Sequence, residues 1–180
     1  MEQRLIKISK FLSRVLRHRP EKINLILDEN GWAEVSELIE KANSAGIRLS
    51  EEMLHQIVEQ NDKKRYAFNE DETRIRANQG HSIPIDLALP VMIPPENLYH
   101  GTTIRFIPSI KIMGLLSKRR NHVHLSVQIQ TAMRIGSRHG EPVVLRISAQ
   151  QMMNNGYKFY YSENGIWLTE HVPVNFIHFE

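Results

Sequence analysis

The 180-residue sequence contains no cysteine. That excludes disulfide staples, thiolate nucleophiles and thiolate metal sites, and it suits a reducing compartment such as the cytoplasm. No apolar run approaches the roughly 18 residues of a membrane span. The first sixteen residues, MEQRLIKISKFLSRVL, carry charge every few positions, so they do not read as a secretory signal. Neither G-x-G-x-x-G nor G-x-x-x-x-G-K-[ST] nor H-E-x-x-H occurs, which disfavours a Rossmann dinucleotide site, a P-loop NTPase and a zincin protease. Nine Gly, eight Pro and no repeat of solenoid length exclude collagen-like, low-complexity and repeat architectures. What is present is 41% hydrophobic, enough to give one medium domain or two small ones a real core.

Charge is nearly balanced, 23 Lys/Arg against 20 Asp/Glu, but unevenly spread. Residues 1–90 hold 14 basic and 15 acidic side chains, whereas residues 91–180 hold 9 and 5, with six of the nine His. The first twenty residues carry six Lys/Arg against one Glu. This pattern points to a local anion site rather than to broad coating of nucleic acid.

The clearest seam is IPIDLALPVMIPP at 83–95, which holds four of the prolines. Pro84, Pro90, Pro94 and Pro95 each remove a backbone donor and disfavour helix at the residue before, so 84–95 reads as an extended connection between lobes 1–83 and 96–180. In the first lobe, Leu5, Ile8, Phe11, Leu12, Val15 and Leu16 predict an amphipathic helix ending near Arg17. Lys7, Lys10, Arg14 and Arg17 form a basic stripe along it. Helices are expected over 35–42 and 51–59, the latter capped by Ser50, and a hairpin follows with its turn at 69–72. Three helices and a hairpin make a winged-helix pattern, which makes nucleic acid a reasonable partner and no more. In the second lobe, strands are expected at 98–100, 123–126, 143–147, 158–161, 166–168 and 176–179, with helices at 107–113 and 128–135. Short strands with two helices suggest a compact α+β or β-sandwich lobe, and the chain as a whole is expected to be α+β.

Four clusters carry candidate chemistry. Leu16-Arg17-His18-Arg19-Pro20 gathers cations and an imidazole where the basic helix ends; a solvated helix end complementing the helix dipole would look the same. Arg74-Ile75-Arg76 alternates so that both Arg share a face with Asn78, as in an exposed strand or a guanidinium clamp on phosphate. His100-Gly101-Thr102 and His124-Leu125-Ser126 end two predicted strands, with Gly101 open to close approach by a ligand and the hydroxyls suited to a ribose or amide. Gly136-Ser137-Arg138-His139-Gly140 closes the second helix, either as a glycine cap with exposed cations or as part of a site. His122 and His124 lack a grouped third ligand, so no metal is expected.

The stretches SKFLSRVLRHRP (9–20), DENGWAEVSEL (28–38), RIRANQGHS (74–82), LYHGT (98–102), HVHLS (122–126), GSRHGEPVVL (136–145) and ENGIWLT (163–169) together resemble the KptA-type RNA 2′-phosphotransferases, also called tRNA 2′-phosphotransferases. The resemblance implies an N-terminal winged-helix lobe joined to a C-terminal ADP-ribosyltransferase-like lobe that binds NAD without a Rossmann motif. It implies an NAD-dependent removal of an internal RNA 2′-phosphate through a 2′-phospho-ADP-ribosylated RNA. The products would be 2′-OH RNA, ADP-ribose 1″,2″-cyclic phosphate and nicotinamide, the reaction of tRNA splice junctions. The family's catalytic set maps onto Arg17, His18, Arg76 and Arg138, with Arg74 as fallback for Arg76. His100, Gly101 and Thr102 would receive the nicotinamide riboside end of NAD, with His124 and Ser126 nearby. His18 would transfer a proton or hydrogen-bond in the second step, and Glu163 is not expected to be the essential catalyst. No protein partner or membrane is implied.

Three rivals share these residues. A two-histidine RNA phosphoesterase would use His100 and His124 and ignore NAD. A winged-helix regulator would bind nucleic acid without catalysis. An ADP-ribosyltransferase acting on protein or on nucleic-acid phosphates would share only the first chemical step.

Overall fold

The computed structural model describes residues 3–179, apart from the side chain of His139. It is an α+β protein whose chain divides into two compact units, one running to Ala88 and the other starting at Leu89.

In the first unit the order is α1 (Gln3–Arg17), β1 (Ala33–Glu34), α2 (Val35–Ser44), α3 (Glu51–Glu59), β2 (Tyr66–Phe68) and β3 (Arg74–Ala77). The strands form one antiparallel sheet in the order β1-β3-β2. On α1 the apolar spacing does what helical periodicity demands: Leu5, Ile8, Leu12, Val15 and Leu16 are buried, while Lys7, Lys10 and Arg14 face solvent. Ser50 caps α3, its Oγ accepting the Met53 N–H at 3.2 Å. Leu38, Leu54, Ile57 and Ile75 complete a core that β3 closes from one side. Tyr66, buried on β2, ties the sheet to α1 by donating its hydroxyl to the Ser9 carbonyl at 2.5 Å. The short strand β1 was not expected; it pairs Ala33 with Ile75 and Glu34 with Arg74. A 3-10 turn at Pro20–Ile23 follows α1, with the proline at its first position, where no N–H is needed.

The second unit holds β4 (Asn97–Thr103), α4 (Ile107–Met113), β5 (Leu115–Leu116), β6 (Val123–Leu125), α5 (Ile129–Gly136), β7 (Pro142–Ser148), α6 (Ala149–Asn154), β8 (Tyr160–Tyr161), β9 (Trp167–Thr169), β10 (His171–Val172) and β11 (Ile177–Phe179). Two three-stranded antiparallel sheets, β11-β7-β4 and β6-β9-β8, and a two-stranded β10-β5 ladder result. The first two sheets are joined where Tyr99 and Ser126 exchange N–H···O bonds of 2.8 and 2.9 Å. Leu98, Leu145 and Ile147 from one sheet, Leu125 and Trp167 from the other, and Phe159 just before β8 share the core.

Three helices stand in this unit where two were expected. The extra one, α6, is six residues long, too short for a periodic pattern, and its N-cap Ser148 makes no side-chain cap hydrogen bond. His100-Gly101-Thr102 was expected at a strand end; it lies inside β4, which continues to Thr103 because β7 pairs with it along its full length. Among the described residues, no helix is long and apolar enough to cross a membrane.

Candidate functional site

Within the first unit, the end of α1 is laced to the chain that follows β3. Arg17 Nη2 donates to the Arg65 carbonyl at 3.3 Å, and the same carbonyl accepts the Asn78 N–H at 2.9 Å. The Arg17 carbonyl in turn accepts the Ser82 N–H at 2.9 Å, and the Ser82 hydroxyl hydrogen-bonds Nδ1 of the exposed His18 at 2.9 Å. Arg65 therefore anchors the guanidinium of Arg17, and Ser82 anchors its main chain and the imidazole of His18.

The two hairpin arginines have different surroundings. Arg74 donates from Nε to Glu34 at 2.7 Å and from Nη1 to Asp28 at 3.4 Å, so two carboxylates compensate its charge. Arg76 lies with its guanidinium carbon 4.4 Å from the centre of the Trp32 ring and donates from Nη1 to the Leu87 carbonyl at 3.3 Å. An aromatic face and a carbonyl hold a guanidinium without cancelling its charge, whereas flanking carboxylates do. The surroundings of the two guanidiniums thus differ, those of Arg74 including two carboxylates and those of Arg76 an aromatic ring and a main-chain carbonyl. Arg17, like Arg76, is bonded to a main-chain carbonyl.

Within the second unit, a cleft of about 760 Å³ is lined by His100, Gly101 and Thr102. Arg105, Lys118, Arg119 and Arg120 also line it, with no Asp or Glu. Arg105 and Lys118 both approach the Phe106 ring, at 4.6 and 4.8 Å from its centre. A cleft with one apolar wall and several uncompensated cations fits a ligand that carries both a flat ring and phosphates. His100 donates from Nδ1 to the His124 carbonyl at 3.0 Å, which leaves Nε2 as an acceptor. Burial pushes its pKa below the usual 6.5, the hydrogen bond to His124 acting against this, so the ring is neutral near pH 7.

His124 and Ser126 are not among the cleft-lining side chains. Arg120 Nη1 donates to His124 Nδ1 at 3.0 Å, which makes Nε2 the protonated nitrogen of a neutral ring. Ser126 is buried, and its Oγ accepts the Gln128 N–H at 3.1 Å at the start of α5. Gly101, expected to allow a ligand's close approach, lines the cleft, and where its side chain would stand the room is taken by protein. A Cβ there would lie 1.8 Å from the Ala132 carbonyl oxygen and 3.0 Å from Gly136 N, so α5 rests its backbone directly on β4. Gly136 completes the contact from the other side, where a Cβ would sit 2.5 Å from the Thr102 oxygen. Arg138 is exposed on the 3-10 turn Ser137–His139 that continues α5; the His139 side chain lies outside the described residues. Among the described residues, no three His, Asp or Glu side chains gather as a metal-ligand set.

Sequence reasoning passed over Trp32, Ser82 and the cations Arg105, Lys118, Arg119 and Arg120. The Asn30-Gly31 turn signal beside Trp32 could have drawn attention to the first. The run Lys118-Arg119-Arg120 is itself a local signal of three adjacent cations, whereas Arg105 stands alone in the sequence and Ser82 matters through the distant His18.

A family model described as RNA 2′-phosphotransferase, Tpt1 / KptA family matches residues 3–171. Similar proteins named "Probable RNA 2′-phosphotransferase" include one from Acaryochloris marina, 54% identical over 98% of this chain and 97% of its own length. Others come from Flavobacterium johnsoniae, 56% identical over 96% of this chain and 95% of its own, and from Fusobacterium nucleatum, 50% identical over 97% and 98%.

Proposed function

We propose a reaction for this chain, which belongs to the RNA 2′-phosphotransferase, Tpt1 / KptA family: the NAD-dependent removal of an internal 2′-phosphate from RNA of the tRNA splice-junction type. The observation that carries the phosphate-handling part is that the guanidinium groups of Arg17 and Arg76 are each anchored on a main-chain carbonyl. We read the first unit as a winged-helix lobe, supported by its order of helix, strand, two helices and hairpin around a β1-β3-β2 sheet. We read the second as an ADP-ribosyltransferase-like lobe, supported by two small antiparallel sheets beside a cationic cleft.

In this reading NAD is a co-substrate received by the second unit. His100, Gly101 and Thr102 meet its nicotinamide riboside end, and His124 and Ser126 support them from behind, the first through its carbonyl and the second by starting α5. The four cleft cations offset the pyrophosphate. An oxygen of the RNA 2′-phosphate attacks the anomeric carbon of the nicotinamide ribose; the carbon–nitrogen bond breaks and nicotinamide leaves. The neighbouring ribose 2″-hydroxyl then attacks phosphorus, losing its proton, while the RNA 2′-oxygen departs and gains one. ADP-ribose 1″,2″-cyclic phosphate and RNA with a free 2′-hydroxyl result.

The catalytic arginines of this reading are Arg17 and Arg76 in the first unit and Arg138 in the second, each acting on the phosphoryl group as it reacts. Their guanidinium forks match its oxygens and stabilise the charge that gathers there as phosphorus is attacked. His18, exposed and oriented by Ser82, is placed to give the departing RNA oxygen its proton. His100, neutral and with Nε2 free to accept, suits a sugar hydroxyl better than a phosphate. A two-histidine phosphoesterase is less well supported, because His124 does not line the cleft and His100 spends one nitrogen on a carbonyl.

The test is incubation of the protein with a 2′-phosphorylated oligonucleotide with and without NAD, followed by product identification. Dephosphorylated RNA and the cyclic phosphate, both only with NAD, are expected. Phosphate release without NAD, or a stable ADP-ribosylated RNA with no phosphate transfer, would overturn the proposal.

A further inference from the structure

We infer that the loop from Asp28 to Trp32 is a positioning device for Arg76, with Trp32 as its contact surface; the inference rests on the reading of Arg76 as a phosphate ligand. Arg76 has two observed supports, the Trp32 ring and the Leu87 carbonyl. This loop sets both of them.

The ring is set first. Asp28 Oδ1 accepts the N–H groups of Asn30 and Trp32, each at 2.9 Å, and the Trp32 carbonyl accepts the Asp28 N–H at 2.9 Å. Gly31 turns the chain between them with φ +83°, a conformation that L side chains adopt only at a cost. Immediately after Trp32 the chain enters β1, whose pairing of Ala33 with Ile75 fixes the loop alongside Arg76 itself.

The carbonyl is set by the other side of the same loop. The Glu29 carbonyl accepts the Asp86 N–H at 3.0 Å, and Asn30 Nδ2 donates to the Asp86 carbonyl at 2.7 Å. Asp86 Oδ1 then accepts the Ala88 N–H at 2.9 Å, which leaves Leu87 enclosed between two anchored neighbours and buried. Two unrelated supports of one guanidinium therefore trace back to five consecutive residues. Arg74 gives the device its third tie, taking Asp28 Oδ2 and so keeping that carboxylate beside Arg74.

A flexible arginine loses considerable rotamer freedom when it binds, and an enzyme that holds the side chain beforehand spends less binding energy on ordering it. An aromatic face suits this task because it restrains the guanidinium through its flat surface without adding a negative charge beside it. Trp32 is a positioning residue here, not one that touches the reacting atoms.

The readout is the ratio of dissociation constants for an unphosphorylated and an internally 2′-phosphorylated oligonucleotide, measured without NAD. The ratio reports recognition of the phosphate itself. Trp32→Leu should lower it about 3- to 30-fold, the range a desolvated or exposed cation–π contact covers, and Trp32→Phe should restore most of it. Asp28→Ala, which leaves the ring in place but removes its backbone anchor, should lower the ratio in the same direction and serves where Trp32→Leu fails to fold. In an Arg76→Ala background, Trp32→Leu should add less than about a twofold change, because the two act through one contact.

A folded Trp32→Leu or Asp28→Ala protein with the parent's ratio would overturn the inference, as would losses that multiply independently in the double variant. A parent ratio of one would remove the reading of a phosphate site and the positioning device with it. A parent ratio well above one that falls in Arg76→Ala but not in the loop variants removes the device alone.

Discussion

Gly101→Ala tests the closest backbone approach in the second unit. The added Cβ would lie 1.8 Å from the Ala132 oxygen and 2.6 Å from its carbon, where ordinary contact begins near 3.4 Å. Relief therefore requires α5 to lift by about 1.6 Å from β4, and the atoms in the way are main chain, which no rotamer change can move. Overpacking a core normally costs about 1–3 kcal/mol, and a clash between two rigid backbones belongs at or beyond the upper end, about 3–5 kcal/mol. For a unit of this size each kcal/mol moves the melting temperature by roughly 4–8 °C, so a loss of about 15–30 °C is expected. Arg138 follows α5 directly, so NAD-dependent dephosphorylation should fall even at temperatures where the variant is folded.

Thermal unfolding followed by circular dichroism reads the first effect and the oligonucleotide assay reads the second. Gly46→Ala is the control, since φ is +81° there but no atom lies within 4 Å of the new Cβ; it should cost only the left-handed strain of about 1 kcal/mol. A Gly101→Ala protein melting within about 3 °C of the parent would show that α5 does not rest on β4 in this way.

The hairpin arginines should separate in activity. Arg76→Ala should reduce dephosphorylation about 100- to 1,000-fold, the scale of one lost transition-state donor, whereas Arg74→Ala removes an exposed ion pair worth under about 1 kcal/mol and should keep activity within a few-fold. Equal losses would discard the distinction drawn from Glu34 and Asp28. His100 should make stability pH-dependent. Its folded-state pKa lies below 6.5, so as pH falls through 6.5 the unfolded chain takes up a proton that the folded chain does not, and stability drops until the folded pKa is passed. His100→Asn, whose amide N–H can still reach the His124 carbonyl, should lose less melting temperature than the parent between pH 7.5 and 5.5; an unchanged dependence would refute the assignment.

Features decided by local chemistry were legible in the sequence. The Ser50 cap and the span of α3, the end of α1 near Arg17 and the hairpin around residues 69–72 all follow from nearby residues and match the structure. Features decided by a distant partner were not. β1 is two residues long and exists because β3 lies beside it, and β5 and β10 define each other in the same way.

The same division runs through the candidate site. Nothing near Arg74 or Arg76 in the sequence separates them; Glu34, Asp28 and Trp32 do, from some forty residues away. Gly101 announced a close backbone approach but not whose; α5 makes one, and Gly101 lines the cleft as well. Three of the cleft cations, Lys118, Arg119 and Arg120, are adjacent in the sequence, but their grouping with Arg105 and His100 exists only once α4, β5 and the following loop have folded.

Arg17, Arg76 and His100 each have a hydrogen bond to a peptide carbonyl, those of Arg65, Leu87 and His124. Every residue carries such an oxygen, so these three attachments survive any point substitution at positions 65, 87 or 124 that leaves the backbone path intact. The wiring is written in the trace of the chain rather than in its side chains. Sequence drift can therefore recolour those positions freely, whereas an insertion or deletion of one residue nearby would disconnect the site at once.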